Sequence, residues 1–530
     1  MSDDGGFFDR TLVNTVANVV KTVVMAIIGV MMVPYYLDVL GMSTYAVIPL
    51  AATMTSYVMI MAESLTEACS RYSIMAVGTG DRKEALKTFN SAFFGILRVC
   101  AILVPVIIAL SYASPYVFNV GPNAAADVQI LFLSVLTSSL IVVVTSSFSF
   151  VFDAFNRMSH LFITKMLYSV IQVLGVFLLF SLGTPSLVDV GVSYLVSAAV
   201  FFILTFALAK RTYPVLRIRR PCYDGGLFKK MGSLGAWTIA QKVGGLLYIQ
   251  ASIVLVNVFV GEEAGGGFAI VASLVSMMHT ASYSLTVSLE PSIYRLYSDG
   301  DMEGLRSLLR TFVKLVALLF AMPTAFLLVF APDVMTVWVG EENVGLGELF
   351  RVAMVGDVAV CASTVVECVP IVMLKMRKIT GFTILAGLVN IALSAVIMWA
   401  GGGSMSAMCV WAVCITSLAL FTLAYVGGIA GTSLLPRLGV GYAIWAVCLA
   451  AYWLASAVVD LGSGWLILFV AAIVAAVIHL FIVSRLLDRD EKDEISKYVP
   501  GSVRKYLDMM WRRRSSLLYR TANLNADPSP

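Results

Sequence analysis

Charge is scarce in this chain. Asp, Glu, Lys and Arg make up 13% of its 530 residues, about half the share of a soluble domain. So few charges cannot clothe a water-soluble body of this length, which excludes a soluble enzyme. Histidine is scarcer still: His160, His279 and His479 are the three. They form no zinc or haem constellation, and H-E-x-x-H is absent. The phosphate-cradling G-x-x-x-x-G-K-[ST] is missing too; Gly78–Lys83 lacks its second glycine and its lysine spacing. With neither motif, no catalytic residue, metal or cofactor is expected, and the protein is read as a non-enzyme. Any driving force must come from a gradient or from consumption of the substrate. Eight cysteines in such a length do not make a disulfide scaffold. Strand-like alternation is also absent, which excludes a β-barrel.

Long apolar runs are what the chain does have. Hydrophobic residues are 59% of it, and the mean hydropathy is +0.90. A run of about 20 apolar residues crosses the hydrocarbon of a bilayer, and backbone there must be helical. Fourteen candidate spans result, near 11–35, 42–64, 86–111, 126–152, 160–182, 187–209, 232–259, 264–288, 308–330, 348–374, 380–400, 405–428, 438–459 and 464–485. The acidic, short Met1–Arg10 has no cleavage site, so span 1 reads as an uncleaved anchor.

The 36 Lys and Arg give the spans a direction. Turns after odd-numbered spans hold essentially none, as in Tyr36–Gly41, Ser111–Ala125, Val260–Ala264 and Ala331–Gly347. Turns after even-numbered spans are basic, with Arg71, Arg82 and Lys83, then Lys210 and Arg211, then Arg306 and Arg310, then Arg377 and Lys378. By the positive-inside rule both termini are cytoplasmic, and the expected location is a cytoplasmic membrane. The cysteines lie within spans or on the inner side, and reduced thiols are expected. Asp488–Glu494 reads as a charged, solvated stretch. After Pro500, Val503, Tyr506, Leu507, Met510 and Trp511 recur at helical spacing among Arg504, Lys505 and Arg512–Arg514. That is a basic amphipathic tail suited to the anionic inner leaflet.

The chain repeats itself. Gly41 opens span 2 and Gly261 opens span 8; Gly80-Asp81 follows span 2 and Gly300-Asp301 follows span 8. Pro105 and Pro323 interrupt the next helices at nearly matching depth, and Ser114-Pro115-Tyr116-Val117…Gly121 matches Ala331-Pro332-Asp333-Val334…Gly340. These landmarks predict an all-α membrane protein of two homologous six-helix bundles around a central cavity, with two extra spans. The expected domains are 7–209, 225–430, spans 13–14 at 436–485, and a tail at 486–530. Six spans per half give both halves one orientation, with a cleft between them, as in alternating-access carriers.

Ionisable residues inside spans cost about 2.5–3.5 kcal/mol each against lipid, so they should face protein or water. Lys21 and Lys242 lie at matching depth in spans 1 and 7, twenty and nineteen residues before Gly41 and Gly261. Two ammonium groups across a cleft repel, and a phosphate or pyrophosphate between them relieves this. Snorkelling, or pairing with a local acid such as Glu63 or Glu290, is the alternative. Arg98 extends the basic wall or forms a structural pair; Lys314 is its nearest counterpart. Glu63, Glu67 and Arg71 share a helix face and, with Glu290 and Arg295, read as an inner gate or as solvated helix ends. Asp357 and Glu367 are ion-coupling candidates, although Arg351 could neutralise Asp357. Asn14, Asn18, Gln241, Gln250, Asn257 and Asn390 suit either sugar hydroxyls or interhelical contacts.

At this point a resemblance enters. Val33-Pro34-Tyr35-Tyr36-Leu37-Asp38-Val39-Leu40-Gly41…Tyr45 resembles the "P-x-L…LG…Y-G" pattern of the polysaccharide-transporter branch of the multidrug/oligosaccharidyl-lipid/polysaccharide flippase superfamily. The Gly80-Asp81, Ser298-Asp299-Gly300-Asp301 and Ala331-Pro332-Asp333-Val334…Trp338-Val339-Gly340 turns are similar as well. The likeness covers residues 7–485, with Ala46 where the family usually has Gly. It implies flipping of a polyprenyl-linked oligosaccharide from inner to outer leaflet, by two bundles whose cavity is lined by helices 1, 2, 7 and 8. A peptidoglycan-precursor flippase has the same implied features. A cation-coupled drug exporter usually has twelve spans and acidic cavity residues, unlike this chain. A membrane scaffold for glycan assembly is the non-transport alternative. Candidate partners are the lipid-linked glycan, membrane lipids and a glycan polymerase or glycosyltransferase; no nucleic acid is expected.

Overall fold

The computed structural model describes residues 4–60, 82–121, 123–155, 157–214, 217–219, 223–234, 236–457 and 464–498. Regular structure among the described residues is entirely helical. Backbone in hydrocarbon must satisfy its own hydrogen bonds, and a continuous apolar run does so only as a helix. Among the described residues thirteen helices are long and apolar enough to cross a membrane, and a bent pair makes a fourteenth. In order they are Val16–Leu40, Met42–Ile60, Leu86–Val117, Ala125–Ser146, Met158–Leu182, Leu187–Thr212, Ala240–Val260, Glu262–Ser298 and Met302–Val329. The bent pair Leu346–Met354 and Asp357–Val372 is span 10, followed by Met376–Trp399, Ser404–Ala430, Leu435–Ser456 and Trp465–Leu486. The protein is a multi-pass membrane protein.

Pro105 and Pro323 do not interrupt their helices. Spans 3 and 9 run through them as single helices, because neighbouring helices and side chains can take up the freed backbone groups in a membrane. Repeat-related glycines instead mark the sharp turns. Gly41 and Gly261 take φ of 76° and 130°, and Gly121 and Gly340 take 59° and 95°. All four lie in a region that side chains other than glycine's rarely enter.

The chain divides into two compact units. One comprises Met1–Leu274, Trp338–Leu349 and Thr380–Cys414; the other comprises Val275–Val337, Phe350–Ile379 and Ile415–Pro530. The first has an aromatic core of Phe89, Phe93, Phe148 and Phe152. Within it the openings of spans 2 and 8 meet. Ser43 Oγ donates to Glu263 Oε1 at 3.2 Å, a separation of 220 residues. A Cβ on Gly266 would lie 2.8 Å from the Cβ of Ala46, again 220 residues away. Positions that are equivalent in the two repeats therefore touch each other, as positions beside a twofold axis do.

Span 9 is the hub of the second unit, with Leu305, Leu308, Leu309, Val313 and Ala317 wholly buried. Span 13 lies close enough that a Cβ on Gly441 would come within 2.5 Å of the Ala317 Cβ. Small residues allow such approaches, and close packing holds helices together where lipid competes for apolar contact.

Candidate functional site

Lys21 is half-buried on span 1. Its Nζ donates to Asn18 Oδ1 one turn earlier at 2.9 Å and lies 5.1 Å from the centre of the Phe162 ring. Lys165 of span 5 is near enough to repel it. Lys165 escaped the sequence reading, although a lysine five residues inside an apolar run was visible there. Span 1 is fixed against span 5 by Asn14, whose Oδ1 accepts the Ser159 backbone N–H at 2.7 Å.

Lys242 is half-buried on the helix Ala236–Leu246, in the same compact unit as Lys21. Span 7 breaks just beyond it, between Leu246 and Ile249. The break exposes carbonyls that need donors. Asn390 of span 11, fully buried, donates to Leu247 O at 3.1 Å and to Ser252 Oγ at 3.0 Å. The Tyr248 hydroxyl donates to Thr383 O at 3.0 Å. Gly387 sits so close that a Cβ would be 2.7 Å from Leu247 Cβ. Span 11 thus sets the bend that positions Lys242. Several candidate sugar ligands are engaged between helices instead. Gln250 accepts from Thr53 at 3.0 Å. Asn257 and Asn119 share three hydrogen bonds across their backbones and side chains.

Arg98 lies over the ring of Tyr223, 4.2 Å from its centroid. Nearby, the linker before span 7 is tied to span 3. Lys87 Nζ is 2.8 Å from Asp224 Oδ2, and Ser91 Oγ accepts the Asp224 N–H at 2.9 Å. The Lys87 hydrogen bond, followed by the Leu227 N–H, holds the Asp224 carboxyl below the usual carboxylate range.

The second unit holds the acidic residues. Asp357 is buried beside the bend of span 10, and His279 Nε2 lies 2.6 Å from its Oδ1. Arg351 Nε and Nη2 donate to Leu328 O and Val329 O at 3.2 and 3.3 Å. Glu367 lies within electrostatic reach of His279, and Glu290 within reach of Glu367. Arg295 is exposed and 3.6 Å from Asp299. Glu63, Glu67, Arg71 and Gly80-Asp81 lie outside the described residues, as does the tail beyond Tyr498.

One reading of the C-terminal region changes in part. Asp488–Glu494 is solvated only in part: Asp488, Arg489, Asp490 and Asp493 are exposed, while the helix Arg489–Tyr498 buries Glu491, Glu494 and Ile495. Lys314 of span 9 is the nearest counterpart of Arg98 in sequence. It is buried, with its Nζ 2.7 Å from Glu491 Oε2. Among the described cysteines, Cys100, Cys361, Cys368, Cys409, Cys414 and Cys448 are free thiols.

With this geometry in place, comparison with known proteins becomes decisive. A family model described as polysaccharide biosynthesis protein matches residues 11–296. The chain belongs to the polysaccharide biosynthesis protein family. A curated relative is the uncharacterized membrane protein EpsK of Bacillus subtilis (strain 168), 25% identical over 333 residues, which are 62% of this chain and 65% of EpsK. The chain thus spans just under two thirds of that relative. Among solved structures, the lipid II flippase MurJ in an inward closed conformation has a TM-score of 0.69 at 13% identity, covering 89% of this chain and 99% of MurJ. An inward-facing MATE-family multidrug resistance transporter of the MOP superfamily has a TM-score of 0.68 at 12% identity, covering 79% and 98%. A MOP-superfamily transporter from Pyrococcus furiosus, titled for the reverse polarity of its binding pocket, has a TM-score of 0.55 at 13% identity, covering 80% and 95%. These likenesses establish that this polysaccharide biosynthesis family member has the MOP-superfamily fold.

Proposed function

We propose that the protein is a flippase that carries a lipid-linked oligosaccharide from the inner to the outer leaflet of the cytoplasmic membrane by alternating access. The observation that carries this reading is the pair of intramembrane lysines at matching depth in spans 1 and 7. Lys21 is held by an amide and a ring, with Lys165 adding a second positive charge. Lys242 sits at the bend that Asn390 caps. Concentrated positive charge in a membrane calls for an anion, and the phosphate or pyrophosphate of a polyprenyl-linked glycan supplies one. The glycan crosses through the wet cleft while the lipid tail stays in the bilayer. The two six-helix repeats 7–209 and 225–430 act as the moving halves, and both termini are cytoplasmic. Arg98 extends the basic surface. Glu63, Glu67, Arg71, Glu290 and Arg295 form the inner gate, while Asp357 and Glu367 couple an ion. The basic tail binds the anionic leaflet, and a glycan polymerase or glycosyltransferase acts alongside. No step needs nucleotide hydrolysis.

A peptidoglycan-precursor lipid is the second reading, favoured by the greater coverage of this chain by MurJ than by the MATE transporter. Both substrates present the same anion to the lysines. Reconstitution tests the reading: a fluorescent polyprenyl-pyrophosphate oligosaccharide is placed in proteoliposomes and its leaflet exchange is followed by quencher access. Wild-type protein should exchange it, and Lys21→Glu and Lys242→Glu should each lower the rate at least about tenfold, the equivalent of ~1.4 kcal/mol. Unchanged rates in both variants would reject the lysine site. Efflux of cationic drugs without glycan exchange would reassign the protein as an exporter.

A further inference from the structure

His279 sits near the middle of span 8 and joins that helix to the bend of span 10. Its Nε2 is 2.6 Å from Asp357 Oδ1, and the two side chains are 19% and 1% exposed. The pair therefore has one partly exposed end and one end sealed in protein. Asp357 is the first residue after the break, where Gly356 precedes it and the halves of span 10 diverge by 50°. The break is clasped from other elements. Thr416 of span 12 lies against Gly356, leaving no room for a side chain there, and the Tyr442 hydroxyl of span 13 donates to Gly356 O at 3.4 Å.

Among the described residues, three spans present groups to the pair. From span 10 come the Cys361 thiol, 3.6 Å from Asp357 Oδ2, and Glu367, within electrostatic reach of His279. From span 8 comes Glu290, which acts on Glu367. From span 13 comes Tyr442. Ser282 and Thr364 add hydroxyls that bond to Cys361 O at 2.8 Å each and to one another at 3.0 Å. His279 thus lies within electrostatic reach of Asp357 and Glu367, and Glu290 acts on Glu367 in turn. A carboxylate sealed in protein needs a counter-charge or a proton, and imidazole gains or loses one between pH 5 and 8.

We propose that His279 and Asp357 form the proton-coupling site of this carrier, an inference that rests on the transport reading above and deepens it. With the imidazole neutral, Nε2–H donates to Asp357 and the pair carries one negative charge. Uptake of a proton from water forms a bond at Nδ1, and the pair becomes neutral overall while Nε2–H still holds Asp357. Return of the Nδ1 proton to water restores the first state. The proton thereby sets the net charge at the joint between span 8 and the bend of span 10. A conformational preference that follows this charge couples the proton gradient to exchange of the cleft states.

Proteoliposomes with trapped pyranine and a fluorescent polyprenyl-pyrophosphate oligosaccharide test this. The readout is the ratio of flipping rates with and without an imposed pH gradient. Wild type should show a ratio well above one with proton entry, and His279→Gln and Asp357→Asn should each give a ratio of about one. If one variant does not fold, the other decides. A gradient response retained in His279→Gln overturns the proposal, as does a wild-type response to sodium but not to pH. Should wild type flip nothing, the transport reading fails. Pyranine alone then settles the site: a gradient-driven proton flux present in wild type and lost in His279→Gln supports it, and equal fluxes overturn it.

Discussion

Glu491→Ala should release the C-terminal helix. Glu491 Oε2 meets Lys314 Nζ at 2.7 Å and its Oε1 meets Arg437 Nη1 at 3.2 Å, so this carboxylate joins the tail to spans 9 and 13. Oε2 also accepts the Asp488 N–H at 3.0 Å. Lys314 is 5% exposed, and Asp488, 4.0 Å from its amine, is a weak substitute. Removing one partner of a buried pair costs ~3–5 kcal/mol because the other charge stays buried and unpaired. Here the molecule has an escape: undocking Arg489–Tyr498 lets water reach Lys314. A helix of 10 residues is marginal on its own, so the undocked segment should also unwind. At ~1.4 kcal/mol per factor of ten, the docking equilibrium should fall by roughly two orders of magnitude or more. Hydrogen–deuterium exchange of the 489–498 amides in nanodiscs reads this directly. Lys314→Met combined with Glu491→Met should lose less protection than either single variant, because apolar replacement of both partners removes the stranded charge; Arg437, partly exposed, can turn to water. Wild-type exchange in Glu491→Ala would refute the reasoning.

Three further outcomes follow from the same coordinates. Asn390→Leu strips the donors from Leu247 O and Ser252 Oγ at the bend of span 7; thermal unfolding in detergent should show a loss of ~1–3 kcal/mol. Gly441→Val forces a side chain against Ala317, and the same assay should show a loss of ~1–3 kcal/mol from overpacking. The Asp224 carboxyl has a depressed pKa in the folded state. Its contribution is therefore complete above the unfolded value of ~4 and is lost as pH falls through the depressed folded value. Cross-linking between cysteines placed at Lys87 and Asp224 would remove the pair, so amide exchange of 224–228 in native protein, followed from neutral to acid pH, is the check. Lys87→Met should weaken the pH dependence of protection, measured against intrinsic exchange rates, and leave the part that the Leu227 and Gly226 N–H groups supply.

Apolar run length and the charge of the turns made the fourteen spans legible, since both report the bilayer directly. The duplication was legible because glycines held at positive φ, such as Gly41 and Gly261, cannot drift in identity without strain. The bend of span 10 was hidden: nothing in Val355-Gly356-Asp357 announces a break that Thr416 and Tyr442 hold from distant spans. His279 and Asp357 were individually visible, but no local spacing links positions 78 residues apart. The pairing of Lys314 was hidden for the same reason. Its partner Glu491 is 177 residues away, in a segment whose charge density reads as solvated. The proline landmarks misled differently, because the rule that proline breaks a helix weakens in a membrane, and Pro105 and Pro323 sit inside continuous helices.

The most direct measurement compares two substrates in wild-type proteoliposomes: a polyprenyl-pyrophosphate oligosaccharide, and a neutral ether-linked lipid with the same glycan and tail. The lysines of spans 1 and 7 should make transfer of the anionic lipid at least about tenfold faster. Equal transfer of both lipids, or transfer of neither above protein-free vesicles, would contradict the account.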